Sequence, residues 1–152
     1  MSILNKKNVL LGVQINDYQE AIRILGNQMV ENGYIQPEYI DSVIEREKQY
    51  PTGLPTDGVH VAIPHANAEF VKRSAIGVMT LLKPVTFRNM GDATENLDVE
   101  MVFLLANADQ SDQPESLQRL MRCFSEEETL MKMKTAETSD EIVAVLQEFM
   151  GE

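Results

Sequence analysis

The chain has 152 residues, 43% of them hydrophobic and 24% charged, with one cysteine and a formal net charge of −11. Such a length allows one domain with a sizeable core, assigned to residues 1–152, and the acidity argues against a nucleic-acid partner because a polyanion is repelled by most of the surface. No apolar run is long enough to cross a bilayer, the first residues are too weakly apolar for a secretory signal, and Cys123 alone makes an intrachain disulfide impossible, so a cytoplasmic setting is expected.

Residues 8–13, NVLLGV, read as a first strand. Asp17 then opens a helix, with Glu20 completing a capping box; Ile22, Leu25 and Met29 share a face, and Asn32-Gly33 closes it. A second helix starts near Pro37, carries Tyr39, Ile40, Val43 and Ile44, and becomes charged at EREKQ. YPTGLPTDG is a loop. Residues 58–70, GVHVAIPHANAEF, alternate Val59, Val61 and Ile63 and then stop at Pro64.

SAIGVMTLLKPVTF leans toward strand, with Lys83-Pro84 interrupting or bending it. RNMGDATEN reads as a turn-rich loop, and LDVEMVFLLAN as a strand buried on both faces at its end. After residues 109–114 the chain is helical in ESLQRLMRCF, EEETLMKMK and TSDEIVAVLQEFM, the last capped by Thr138 and Glu141. Helices flanking a strand-rich middle predict an α/β sandwich, a mixed sheet with helices on both faces.

Chemistry concentrates at His65. Pro64 ends the strand at a defined angle, and Ala66, Asn67 and Ala68 leave the imidazole unshielded. Asn67 offers an amide that could orient the ring. The sequence does not identify the acceptor that fixes the tautomer, and a backbone carbonyl is the plain expectation. ANAEF can form a helical turn whose N–H groups face an anion. An accessible neutral imidazole is a nucleophile, a general base or a metal ligand; the opposing reading is a surface histidine without a role. A metal site is not expected, since His60 and His65 have odd spacing and point to opposite faces of a continuous strand, and Cys123 reads as core filler. His60 itself reads as incidental, at a strand edge facing solvent. No G-x-S-x-G, Walker loop or G-x-G-x-x-G is present, which removes most hydrolase and nucleotide-binding classes.

The segment EREKQYPTGLPTDGVHVAIPHANA, followed by KPVTFRNMG and VEMVFLLA, resembles the enzyme IIA proteins of the bacterial phosphotransferase system, fructose/mannitol family. The matching positions are Arg46 in its Arg-Glu context, Thr52-Gly53, and Ala62-Ile63-Pro64-His65. The loop from Thr52 to His65 is longer than the common fructose type. Ser116 stands where the mannitol type carries a second histidine. Both departures are similar to the galactitol-type branch. The resemblance implies that His65 takes a phosphoryl group from the carrier HPr and passes it to a cysteine of a cognate IIB protein, which serves a membrane IIC component.

In that scheme Arg46 stabilises the phosphate, against the alternative of a helix arginine paired with Glu45 or Glu47. Thr52, Asn67 and Ser116 are further candidates for the phosphate neighbourhood. Neither metal nor other cofactor is expected, because the donor is already a phosphohistidine. The second functional reading is a regulatory IIA-like domain whose phosphorylation state is read by partner proteins.

Overall fold

A long antiparallel hairpin forms the spine of the sheet in the computed structural model, which describes residues 2–109 and 114–152. Strand β4 (Ala75–Asn89) pairs with β5 (Asp92–Ala106) from Ala75↔Ala106 to Asn89↔Asp92. Strand β1 (Val9–Val13) lies parallel to β4 on its other side. The short β3 (His60–Ala62) lies parallel to β5, and β2 (Gly53–Leu54) is antiparallel to β3 and touches β4 at Asn89. The sheet is therefore mixed, as predicted, and has five strands.

Period-two alternation divides the core between the two faces of this sheet. Val102, Leu104 and Ala106 of β5 pack with α1 (Tyr18–Glu31) and α2 (Pro37–Gln49). Met101, Phe103 and Leu105 pack on the opposite face with α3 (Glu115–Phe124), α4 (Glu127–Lys134) and α5 (Ser139–Met150). Each fully buried side chain of this size contributes about 1.5–3 kcal/mol. Val59, Val61 and Ile63 all join the second cluster, so their alternation in the sequence reports one face of the sheet.

The helix ends follow the residues that cap them. Asp17 accepts from the Glu20 N–H at 2.9 Å, and Thr138 accepts from the Glu141 N–H at 3.3 Å. The return bonds go one residue further out than a capping box requires, from the N–H of Asn16 to Glu20 and of Glu137 to Glu141. Pro37 sits in the first turn of α2, and Gly33 ends the α1 connection with φ +85°.

One segment differs from expectation and one follows it. RNMGDATEN is mostly strand: β4 reaches Asn89 and β5 restarts at Asp92, leaving Met90-Gly91 as the turn. Its residues from Asp92 to Asn96 are exposed, but antiparallel ladder bonds join backbones and need no apolar side chains. At Lys83-Pro84 the strand continues, with a register shift between Thr80 and Val85 that leaves Pro84 exposed and outside the paired positions. The expected linker at 109–114 falls largely at residues 110–113, outside the described residues.

Gly53 is required by close approach. A Cβ there would lie 2.6 Å from the carbonyl oxygen of Arg88, a backbone atom of the neighbouring strand. Gly53→Ala should therefore force the strands apart and lower stability by about 1–3 kcal/mol, read from the denaturant midpoint; an unchanged midpoint would contradict the packing described.

Candidate active site

The parallel strands β3 and β5 end side by side, and the chain beyond β3 carries the imidazole to this carboxyl-end rim, where open α/β sheets place their ligands. Beyond Ala62 the backbone stays tied to its neighbours. The Ile63 N–H donates to Thr52 O at 3.3 Å, and Leu105 N–H donates to Pro64 O at 3.2 Å. Pro64 needs no donor partner, and His65 forms a single parallel bridge with Leu105.

The His65 side chain turns back on its own strand. Its Nδ1 lies 2.7 Å from Ile63 O, and since a carbonyl only accepts, Nδ1 carries the proton and donates. Nε2 is then left with its lone pair, as a nucleophile requires. Partial burial holds the imidazole below its ordinary value of 6.5; the Ile63 bond offsets this in part, and the Arg46 guanidinium pushes the same way as burial. The ring is therefore neutral near pH 7. Because the folded-state value is depressed, the stability linked to neutral His65 is present above the ordinary histidine value and is lost as pH falls through the folded value.

Arg46 lines a cleft of about 240 Å³ together with Ser42, Ala66, Asn67 and Glu69. Its neighbours on the helix are engaged elsewhere: Glu45 pairs with Lys48 at 3.0 Å, and Glu47 is taken up by Thr52. Among the described residues Arg46 forms no ion pair, and its buried Nε has no hydrogen-bond partner. The exposed Tyr50 ring supports the guanidinium, with Cζ 5.4 Å from the ring centroid. A planar fork without a carboxylate partner, in the field of a neutral imidazole, suits an anion's oxygens.

The remaining candidates separate. Asn67 lines the cleft and precedes a short 3-10 turn, Ala68–Phe70, without capping it. It does not orient the imidazole; the Ile63 carbonyl does. Thr52 is buried, and its hydroxyl and N–H both donate to the Glu47 carboxylate at 2.8 Å, so its donors are committed before any phosphate arrives. Ser116 is the second residue of α3 and does not line the cleft. His60 also departs from expectation: β3 lies between β2 and β5 rather than at an edge, and His60 is half-buried with Nδ1 enclosed. Cys123 is fully buried, its thiol pushed up to about 12 chiefly by burial and further by Glu126. Among the described residues no cluster of three or more His, Cys, Asp or Glu side chains could hold a metal, and no helix is long and apolar enough to cross a membrane.

Glu47 is the residue that sequence reasoning missed. It reads as part of a charged helix end, yet it is 4% exposed and clamps the Thr52-Gly53 loop to α2. Burial raises its pKa and outweighs the lowering effect of the two Thr52 bonds and of Arg88. The signal available was Thr52 itself, a hydroxyl at helical-turn distance beyond an acidic helix terminus.

An α/β sandwich that presents one oriented, neutral imidazole within the field of an unpaired guanidinium suits phosphoryl handling. Residues 2–149 match the family described as phosphoenolpyruvate-dependent sugar phosphotransferase system, EIIA 2, and the chain belongs to that family. The mannitol-specific phosphotransferase enzyme IIA component of Geobacillus stearothermophilus is 34% identical over 151 residues, covering 97% of each chain. The crystal structure of IIA mannitol from Escherichia coli aligns with a TM-score of 0.75 at 26% identity, over 93% of this chain and 97% of that one. The complex of enzyme IIAMTL and phosphorylated enzyme IIBMTL from Escherichia coli shares the fold, with a TM-score of 0.78 at 24% identity over 95% and 96% of the two chains.

These relatives correct the subgroup. The galactitol-type assignment rested on one loop length and on Ser116, and chain-wide similarity points to mannitol-type proteins instead. Both features are local: the loop is anchored by Glu47, and Ser116 is not among the residues that line the cleft.

Two outcomes follow from this geometry. An NMR titration of His65 should give a midpoint below that of histidine in an unstructured peptide, about 6.5; a midpoint at or above it would remove the burial argument. Thr52→Val leaves the buried Glu47 carboxylate short of a donor and should cost about 1–3 kcal/mol in chemical denaturation, whereas an unchanged midpoint would show that the clamp is dispensable.

Proposed function

We propose that this chain is the phosphoryl carrier of a sugar-transporting phosphotransferase system, with His65 Nε2 as the atom that carries the group. The observation that supports it most is the 2.7 Å contact between His65 Nδ1 and Ile63 O, which leaves Nε2 as the free nucleophile. The Nε2 lone pair attacks the phosphorus of phospho-HPr. The new N–P bond forms as the donor's N–P bond breaks, and that electron pair returns to the donor imidazole. The His65 proton stays on Nδ1, held by Ile63, and makes the phosphorylated ring a better leaving group. A cysteine thiolate of the cognate IIB protein then attacks the same phosphorus, and the N–P electron pair returns to Nε2.

Catalysis here is positioning and charge stabilisation, since the transferring group spreads its charge over three oxygens. Arg46 supplies the countercharge. Asn67 and Ser42, on the cleft wall, offer further side-chain donors there, while Thr52 serves the loop. The names of the relatives support mannitol as the sugar served, through a IIB and a membrane IIC component. The regulatory reading is not favoured by the relatives described above, which are named for mannitol.

Incubation with phosphoenolpyruvate, enzyme I and HPr should label the protein with acid-labile phosphate, and His65→Ala should abolish the label. Persistent labelling of that variant would overturn the assignment. Arg46→Ala should slow single-turnover transfer by about 10²-fold with the fold intact, and an unchanged rate would remove Arg46 from the reaction.

A further inference from the structure

We propose that Tyr39 is a positioning residue for this transfer, its hydroxyl inserted into the β3–β5 ladder at the rung directly after His65. The proposal rests on the reading of His65 as phosphoryl acceptor. In a parallel pair, the residues flanking a bridged position make two bonds to the partner residue. The first is present: Leu105 N–H donates to Pro64 O at 3.2 Å. At the second rung, where Ala66 N–H faces Leu105 O, the Tyr39 hydroxyl bonds both groups. It accepts from Ala66 N–H at 3.1 Å and donates to Leu105 O at 2.8 Å, with Ala66 O a more distant acceptor at 3.4 Å.

This oxygen links Ala66 N–H to Leu105 O at the last paired position, His65, and Ala66 and Asn67 of the cleft lining follow directly. Tyr39 is fully buried, which gives the hydroxyl no water to exchange with. Burial also pushes the phenol up to about 12, so it remains a donor at every working pH. Tyr39 and Arg46 share a face of α2 at i, i+7 spacing, and Ser42 between them lines the cleft with Arg46. One side-chain hydroxyl therefore sets the register between the helix that bears the guanidinium and the segment that bears the imidazole.

A tyrosine that merely filled the core would do as well without its oxygen. Tyr39→Phe keeps the ring and removes the hydroxyl, leaving Ala66 N–H and Leu105 O free to pair directly and draw the His65 segment toward β5. Two readouts are compared with wild type: the single-turnover rate of labelling by phospho-HPr, and the imidazole 15N shifts of unphosphorylated His65, which report the Nδ1–H tautomer. The expected result is a rate loss of about 10²-fold, as misplacement by an ångström produces, together with altered 15N shifts. Unchanged shifts in a folded variant overturn the proposal, whatever the rate. If Tyr39→Phe does not fold, the wild-type protein decides: a slowly exchanging Tyr39 hydroxyl proton with a cross-peak to Ala66 N–H supports the insertion, and its absence overturns it. If wild type takes no phosphate from phospho-HPr, the functional reading fails, and the 15N comparison still decides the role of Tyr39.

Discussion

The hydrogen bond from His65 Nδ1 to the Ile63 carbonyl is the constraint around which the site is arranged. It selects one tautomer and so decides which nitrogen can attack phosphorus. Its acceptor belongs to the backbone of the strand that delivers the histidine, so ring and strand move together. Pro64 makes this possible: lacking an N–H, it asks nothing of the ladder, and its fixed φ lets the chain leave the sheet within one residue. Burial keeps the ring neutral, and the positive field of Arg46 acts in the same direction.

Helix α2 carries most of the remaining geometry. Tyr39 ties it to the segment after His65, Glu47 ties its far end to Thr52, and Arg46 lies between these anchors. The anchors are buried and bidentate, whereas the exposed Glu45–Lys48 pair on the same helix is worth less than about 1 kcal/mol. Buried polar groups left without partners cost about 1–3 kcal/mol each, so it is the buried bonds that hold the helix in register. The exposed ion pair matters in another way: it occupies Glu45, and with Glu47 engaged by Thr52 the guanidinium stays free.

What was legible in the sequence was whatever neighbours along the chain decide. Asp17 and Thr138 announced helix starts, Pro37 a first turn, and Val59, Val61 and Ile63 one face of a strand. His65 was legible because a proline and small residues surround it. Contacts made across the fold were not. A backbone acceptor has no residue type, so a carbonyl could be expected but Ile63 could not be named in advance. Glu47 and Tyr39 read as a surface charge and a core aromatic, because the groups that bond them arrive from other strands and loops. The polar tip of the β4–β5 hairpin read as loop because its ladder is built from backbone alone. The sugar subgroup went astray for a related reason: loop length and Ser116 are local features, while kinship is spread over the whole chain.

The central claim is that Nε2 carries the phosphoryl group while Nδ1 keeps its proton on the Ile63 carbonyl. Phosphorylation of 15N-labelled protein by phospho-HPr, followed by 31P–15N coupling measurements on His65, tests it directly. The account predicts coupling to Nε2, with Nδ1 still protonated. Coupling to Nδ1 would contradict it, because phosphorus would then occupy the position assigned to the Ile63 bond.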